Sequence, residues 1–135
     1  MGPTPTTSYT DVGPEKKWFE YLAQGDFMIQ RCGACDAHVF YPRLFCTHCS
    51  SRTLHWMAPS GQGTVYATTV VRRSLEEGGD YNIALIDLAE GPRMMSRVVG
   101  LAPDAIKIGL KVSARIEREG EQNLVVWQLH EGSVP

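Results

Sequence analysis

The sequence predicts a mainly β protein, in which an N-terminal helix and a small four-cysteine unit precede a five-stranded barrel. Three observations support this fold class: a short amphipathic segment follows residue 13, all four cysteines fall within residues 32–49, and five β-like runs follow residue 61. We therefore expect three parts, which are a flexible arm over residues 1–13, the helix and cysteine unit over residues 14–59, and the barrel over residues 60–135.

The helix is predicted from the stretch PEKKWFEYLAQG. Pro14 suits the first turn, where its missing N–H would have no partner, and Gly25 suits the left-handed position after a helix. Trp18, Phe19 and Leu22 fall on one face of such a helix. This aromatic face must pack on the rest of the chain or on a partner.

The four cysteines form two Cys-x-x-Cys pairs with ten residues between them. Two such pairs, brought together by a hairpin, give the closed tetrahedral thiolate site of a rubredoxin-like zinc ribbon. The predicted ligands are Cys32, Cys35, Cys46 and Cys49. We expect Zn²⁺; iron and metal-free thiols are the alternatives, because ligand type does not separate iron from zinc.

A four-thiolate site leaves no coordination position open, so the metal would hold the fold and take no part in chemistry. Its binding would contribute on the order of 10 kcal/mol to folding. The residue after such a pair often adopts a left-handed conformation, and Asp36 and Ser50 stand at these positions. His48, inside the second pair, is expected to stay outside the metal shell.

The five β-like runs after Gly61 predict the barrel. They are GTVYATTVVRR, YNIALIDLA, RMMSRVVG, LKVSARIERE and NLVVWQLHE. Five strands in a segment of this length suit an OB-fold barrel, and a β-sandwich is the rival from the pattern alone. Trp56 and Trp127 are expected in the core, and Met94 and Met95 on opposite faces of their strand.

Composition limits the function classes. A formal net charge of −2 argues against a general nucleic-acid binder, which usually carries a basic face. No apolar run approaches the roughly 20 residues of a membrane-spanning helix, and the N-terminus lacks the pattern of a secretory signal. We therefore expect a cytoplasmic protein that does not bind membranes.

This order of motifs resembles one acyl-CoA-associated family of zinc-ribbon plus OB-fold proteins, known as domain of unknown function thirty-five. The resemblance covers residues 14–130. Its markers are Trp18, Phe19, Leu22, Gly25, Cys32, Cys35, Pro42, Arg43, Cys46, Cys49, Ser60, Gly61, Gly63, Val65, Tyr66, Ile108, Gly109 and Val112. The sequence departs from the family at Asp36, where a glycine is frequent.

The resemblance implies a non-catalytic accessory subunit in lipid metabolism. Such a subunit would bind an acyl-CoA thioester, a thiolase-like or hydratase-like acyl-CoA enzyme, or both. The residues agree, since none of the four histidines lies in a recognisable catalytic motif. An OB-fold nucleic-acid-binding protein is the alternative, an autonomous acyl-CoA enzyme is a third hypothesis, and a homo-oligomer is left open.

The phosphates of CoA require cationic side chains. The candidates are Arg72, Arg73, Arg93, Arg97 and Lys107. The simpler interpretation of each is a solvated surface charge, because lysine and arginine are mostly exposed. Arg43, next to Pro42, is expected to brace the ribbon, and contact with the ligand is the alternative.

Aromatic residues near the N-terminus are candidates for a protein interface, since aromatic side chains are enriched at interaction hot spots. They are Trp18, Phe19, Tyr21 and Phe40. The alternative is that these rings pack on the barrel or within the ribbon.

Overall fold

The N-terminal helix forms as predicted. In the computed structural model, which describes residues 13–130, helix α1 spans Pro14–Ala23 and begins with its proline. Gly25 follows it with a φ of +90°, the left-handed conformation that glycine adopts without strain. The predicted arm lies outside the described residues except for Gly13. Within residues 13–130, no helix has the length and apolar character needed to cross a bilayer.

Three short antiparallel strands form the ribbon, in the order β2-β1-β3. They are β1 (Ile29–Cys32), β2 (His38–Val39) and β3 (Leu54–Met57). Cys32, at the end of β1, pairs with Leu54, at the start of β3. This register brings the two cysteine pairs to the same end of the sheet.

Six strands form the barrel, in the order β6-β5-β4-β8-β9-β7. They are β4 (Gln62–Val71), β5 (Tyr81–Leu88), β6 (Arg93–Ser96), β7 (Val98–Val99), β8 (Lys111–Glu119) and β9 (Gln122–Leu129). The predicted third strand is broken at Arg97 into β6 and β7. Because β6 pairs with β5 and β7 pairs in parallel with β9, the sheet closes on itself. This closure confirms the OB-type barrel over the β-sandwich.

The break at Arg97 has a side-chain cause. Asn82 is only 4% exposed, and its Oδ1 accepts a hydrogen bond from the Val98 N–H at 3.1 Å. Its Nδ2 donates to the Thr69 carbonyl at 3.2 Å. The Arg97 carbonyl then accepts from the Trp127 N–H at 3.0 Å, so the chain leaves β5 and joins β9. A pattern of apolar residues contains no signal for these bonds, and the sequence therefore predicted one continuous strand.

One hydrophobic core joins the helix, the ribbon and the barrel. Trp127 and Ile86 are fully buried at its centre, and the prediction of Trp127 as a core residue is confirmed. Leu22 of α1 and Ile29 of β1 belong to the same cluster. Trp56 is partly buried against it. The ribbon is therefore held by the barrel core as well as by its own metal site.

Two further sequence features have their reason in the packing. Met94 is 5% exposed and Met95 is 69% exposed, as predicted for opposite faces of one strand. Gly63 is buried against two core side chains. A Cβ atom added at this residue would lie 2.7 Å from Cγ2 of Ile86 and 3.1 Å from Cζ3 of Trp127. Close approach of the β4 backbone to these two side chains explains why the SGQG stretch carries glycine here.

Candidate functional site

The four cysteines come together as predicted. Their Sγ atoms all lie within 4.8 Å of one another, and the pairs Cys32–Cys49 and Cys35–Cys46 are each separated by 3.6 Å. Zinc–sulfur bonds of about 2.3 Å in a tetrahedron place sulfurs about 3.8 Å apart. The cluster thus has the donor type and spacing that Zn²⁺ requires.

The two turns that carry the cysteines have matching backbone geometry. The N–H of Ala34 donates to Cys32 Sγ, and the N–H of His48 donates to Cys46 Sγ, each at 3.3 Å. Asp36 and Ser50 have φ values of 64° and 65°, which confirms the predicted left-handed positions. The backbone N–H of His48 thus hydrogen-bonds to one of the predicted ligand sulfurs. The histidine side chain is not part of the cluster, which consists of the four cysteines.

Ionisation of the thiols also fits a bound cation. Hydrogen bonding, led by the backbone N–H of Cys35, lowers the pKa of Cys32 to about 6. The N–H of Ala37 donates a hydrogen bond to the Cys35 sulfur and lowers the pKa of Cys35. Burial and the three neighbouring thiols outweigh that bond and raise the pKa of Cys35 to about 12. Four sulfurs this close cannot all ionise unless a positive charge lies among them. A zinc ion supplies that charge, and Cys32, Cys35, Cys46 and Cys49 would hold it.

A concave site of about 690 Å³ lies between α1, the ribbon and the barrel, and we call it the apolar groove. Trp18, Phe40 and Tyr41 form one wall, and half of the other lining residues are isoleucine, leucine, valine or methionine. The other lining residues are Arg43, Tyr81, Asn82, Ile83, Arg93, Met94, Met95, Ser96, Arg97, Leu124, Val125 and Val126. A groove of this size and lining suits a ligand with a large apolar part.

A second, more polar groove of about 440 Å³ lies between α1 and the ribbon, and we call it the basic groove. Three cationic side chains line it: Lys17, Arg43 and Arg52. The remaining lining residues are Pro14, Glu20, Gln30, Leu44, Leu54 and Trp56. Arg43 lines both grooves, so the two sites adjoin at this residue.

The cationic residues predicted to contact CoA have different surroundings. Arg93 and Arg97 both line the apolar groove, but Arg93 pairs with Asp87 at 2.6 Å and Arg97 pairs with Glu119 at 2.8 Å. The carboxylates of the pairs hold both guanidiniums at the rim of the groove. Their contact with CoA stays a prediction.

The other three candidates lie elsewhere. The guanidinium of Arg72 pairs with Asp80 at 2.6 Å, and that of Arg73 donates to the Gly79 carbonyl at 2.9 Å. Lys107 is exposed. None of these three side chains lines the apolar groove or the basic groove. Sequence reasoning did not select Lys17 or Arg52, because their grouping with Arg43 depends on the packing of α1 against the ribbon.

The four predicted interface aromatics differ in exposure. Trp18 is 7% exposed and packs edge-on against Phe19 and Phe40, with ring centroids 5.1 Å and 5.7 Å away. Phe19 is 38% exposed. Tyr21 is partly buried against Trp56, at 5.4 Å between centroids. Phe19 is therefore the member of the set that presents most surface to a partner, and Trp18 supports it from beneath.

Tyr41 of the ribbon hairpin also contacts the helix. Its hydroxyl donates to the carboxylate of Glu15, and burial together with this acceptor raises the pKa of Tyr41 to about 12. The contact links the hairpin to α1 beside the apolar groove, which Tyr41 lines.

Nucleic-acid bases stack on free aromatic faces, and two tyrosines of the barrel each have an arginine over one face. The guanidinium of Arg93 lies 3.4 Å from the ring centroid of Tyr66, and that of Arg73 lies 4.5 Å from the ring centroid of Tyr81. One face of each ring is therefore occupied by an arginine of the chain itself.

One serine–histidine contact is present in the barrel. Ser113 Oγ and His130 Nδ1 are 2.6 Å apart, where strand β8 meets the end of β9. Neither residue lines the apolar groove or the basic groove, and within residues 13–130 no carboxylate is hydrogen-bonded to this histidine. The contact joins β8 to the residue that follows β9.

The fold and the cysteine cluster together define a zinc-ribbon protein with an OB-fold barrel. A family model described as the ChsH2 rubredoxin-like zinc ribbon domain matches residues 19–55, and one described as the ChsH2 C-terminal OB-fold domain matches residues 56–117. A DUF35 domain-containing scaffold protein of Methanocaldococcus jannaschii is 32% identical over 104 residues, which cover 72% of this chain and 74% of that protein. The chain belongs to the DUF35 family, with a zinc ribbon and OB-fold of the ChsH2 type.

Two further comparisons concern a protein named as a hydratase subunit and a structure described as an aldolase. The "Probable enoyl-CoA hydratase alpha subunit" of Thermomonospora curvata is 37% identical over 114 residues; this match covers 82% of our chain but 36% of that protein, so the chain spans about a third of this relative. A chain of the solved structure described as the Ltp2-ChsH2(DUF35) aldolase superposes with a TM-score of 0.77 at 32% identity, over 87% of this chain and 94% of that one.

Proposed function

We propose that this chain is a non-catalytic accessory subunit of a thiolase-like or hydratase-like acyl-CoA enzyme, and that its apolar groove holds part of the acyl-CoA ligand. The observation that carries the proposal is the groove itself. It is concave, largely apolar, and formed jointly by the helix, the ribbon and the barrel.

The lining of the groove fits the acyl and pantetheine part of a thioester. Ligand sites commonly have volumes of about 300–1,000 Å³, with mostly apolar walls and a few polar groups that fix orientation. Here the polar groups include the side chains of Asn82 and Ser96, and Met95 offers an adaptable apolar surface at the rim. A thioester ligand would bury its apolar chain against the aromatic wall.

Two lines of support favour an accessory role over catalysis. A zinc ion held by four cysteines has no open position with which to activate water. Relatives in Methanothermobacter thermautotrophicus and Pyrococcus furiosus, both 31% identical, are named scaffold proteins. The names of the hydratase subunit and the aldolase suggest the kind of enzyme with which a chain of this family assembles.

Copurification and binding measurements test this function. The tagged chain, expressed with thiolase-like and hydratase-like enzymes of its own organism, should elute with one of them in size-exclusion chromatography. Acyl-CoA binding to this complex should weaken at least about tenfold in Met95→Glu, because a carboxylate would replace an apolar wall and repel an anionic ligand.

Ile108→Glu is the matched control, since Ile108 is 70% exposed and Met95 69%, and Ile108 lies outside both grooves. Equal loss in both variants would show that the groove is not the acyl site. Turnover of acyl-CoA by the purified chain alone would overturn the accessory role.

A further inference from the structure

We propose that the basic groove binds the phosphate groups of an organic phosphate ligand, which we identify, on the basis of the proposed function, as the nucleotide half of the acyl-CoA. Lys17, Arg43 and Arg52 would contact the phosphates, while the acyl part lies in the adjoining apolar groove.

The first argument is the state of charge pairing. Most arginines of the described chain are matched by a nearby carboxylate. These ion pairs are Arg31–Asp36, Arg72–Asp80, Arg93–Asp87, Arg97–Glu119 and Arg115–Glu117. By contrast, the charged groups of Lys17, Arg43 and Arg52 have no salt bridge and no side-chain hydrogen bond within residues 13–130. Three unmatched cations in one groove, on a chain of net charge −2, indicate a site for an external anion.

The second argument is that contacts other than ion pairs hold each of the three cationic residues, through the backbone for Arg43 and through the side chain for Arg52 and Lys17. The backbone of Arg43 is held by Gln30 through two hydrogen bonds, at 2.7 Å and 2.9 Å. The Arg52 guanidinium lies 4.8 Å from the ring centroid of Phe45, and Lys17 Nζ lies 5.4 Å from that of Tyr21. The anchored guanidinium of Arg52 loses less conformational freedom when it binds a phosphate, and it can donate two parallel hydrogen bonds to that group.

The third argument is continuity. Because Arg43 lines both grooves, a ligand with an anionic head and an apolar tail can span them without leaving the protein surface. Glu20 also lines the basic groove and reduces its charge by one, so the net charge of the lining remains positive. This arrangement matches a polyphosphate head more closely than a single carboxylate.

Calorimetric titration with divided ligands tests the site. The probes are adenosine 3′,5′-bisphosphate, which carries the phosphates, and acyl-pantetheine, which lacks the nucleotide. We expect Arg52→Gln and Arg43→Gln each to weaken binding of the bisphosphate about tenfold. Arg52 lies outside the apolar groove, so Arg52→Gln should leave binding of acyl-pantetheine unchanged. The matched control is Lys107→Gln, which removes one exposed cation outside both grooves.

The outcomes separate this site from the proposed function. The phosphate site would be ruled out if Arg52→Gln and Lys107→Gln bound the bisphosphate with equal affinity. It would also be ruled out if the unmodified protein did not bind the bisphosphate. If Arg52→Gln weakens the bisphosphate but no acyl-CoA enzyme copurifies and acyl-pantetheine does not bind, the phosphate site stands and the proposed function fails. If instead an acidic partner protein alone is released by Arg52→Gln, with no effect on the bisphosphate, the phosphate assignment is wrong.

Discussion

The side chain of Gln30 forms hydrogen bonds with both the N–H and the carbonyl of Arg43. The Gln30 amide nitrogen donates to the Arg43 carbonyl at 2.9 Å, and the Gln30 amide oxygen accepts from the Arg43 N–H at 2.7 Å. Gln30 is only 4% exposed. The bracing at this position thus runs through the backbone of Arg43, and within residues 13–130 its guanidinium makes no hydrogen bond or ion pair.

Replacing Gln30 with leucine should destabilise the fold. Gln30→Leu leaves the Arg43 N–H and carbonyl without these partners, at a cost of about 1–3 kcal/mol in the free energy of unfolding. Denaturant unfolding at saturating zinc measures this cost. Gln122→Leu, at an exposed position of β9, is the control. Identical unfolding midpoints for the two variants would show that the clamp does not contribute to stability.

Loss of a cysteine should remove the metal and loosen the ribbon. We expect one zinc per chain by elemental analysis in the unmodified protein and in His48→Ala, and far less in Cys49→Ser. Hydrogen exchange should accelerate at the amides of Asp36 and Ser50, which bond to the carbonyls of Cys32 and Cys46. Retention of stoichiometric zinc in Cys49→Ser, or its loss in His48→Ala, would contradict the four-thiolate site.

Asp80 should make stability depend on pH. The N–H of Arg73 at 3.0 Å and the guanidinium of Arg72 at 2.6 Å lower the pKa of this carboxyl. The folded state therefore binds the proton more weakly than the unfolded state. The stabilisation is fully present above the unfolded pKa of about 4 and is lost as the pH falls through the lower folded value.

Asp80→Asn should accordingly lower the melting temperature near neutral pH, and its difference from the unmodified protein should shrink below about pH 4. Thermal unfolding at a series of pH values measures this difference. Asp26→Asn, at an exposed position, is the control, and its melting temperature is measured at each pH. Any loss of zinc in acid then affects Asp26→Asn and Asp80→Asn alike. A difference that stays constant across the series would rule out the ionised carboxylate as its source.

Gly63 should not tolerate a side chain. In Gly63→Ala the new methyl group would overlap Ile86 and crowd Trp127, and we expect a loss of about 1–3 kcal/mol in unfolding free energy. Thr69→Ala, at an exposed position of the same strand, should change stability little. If Gly63→Ala and Thr69→Ala had equal free energies of unfolding, the core side chains would have moved to accommodate the new methyl group.

The parts of the fold that depend on residues near one another in the chain could be predicted. Pro14 and Gly25 mark the bounds of α1, and the spacing of the cysteines defines the ribbon, because ligand spacing and turn chemistry are local properties. The alternation of Met94 and Met95 likewise follows from strand geometry.

The features that depend on distant partners could not be predicted. Asn82 breaks the third strand through a bond to a residue 16 positions away. The basic groove groups Lys17 with Arg52 across α1 and the ribbon, and no motif relates the two. Whether an arginine is free for a ligand is decided by carboxylates that folding brings beside it, as Asp87 is brought beside Arg93.

The parallel pairing of Val98 with Trp127 has a consequence for synthesis of the chain. The cysteine turns can capture their metal soon after residue 57 has emerged from the ribosome, since every ligand has then been made. Closure of the barrel must wait for β9, the last of the described strands, and until then the sheet keeps unpaired edges that invite aggregation.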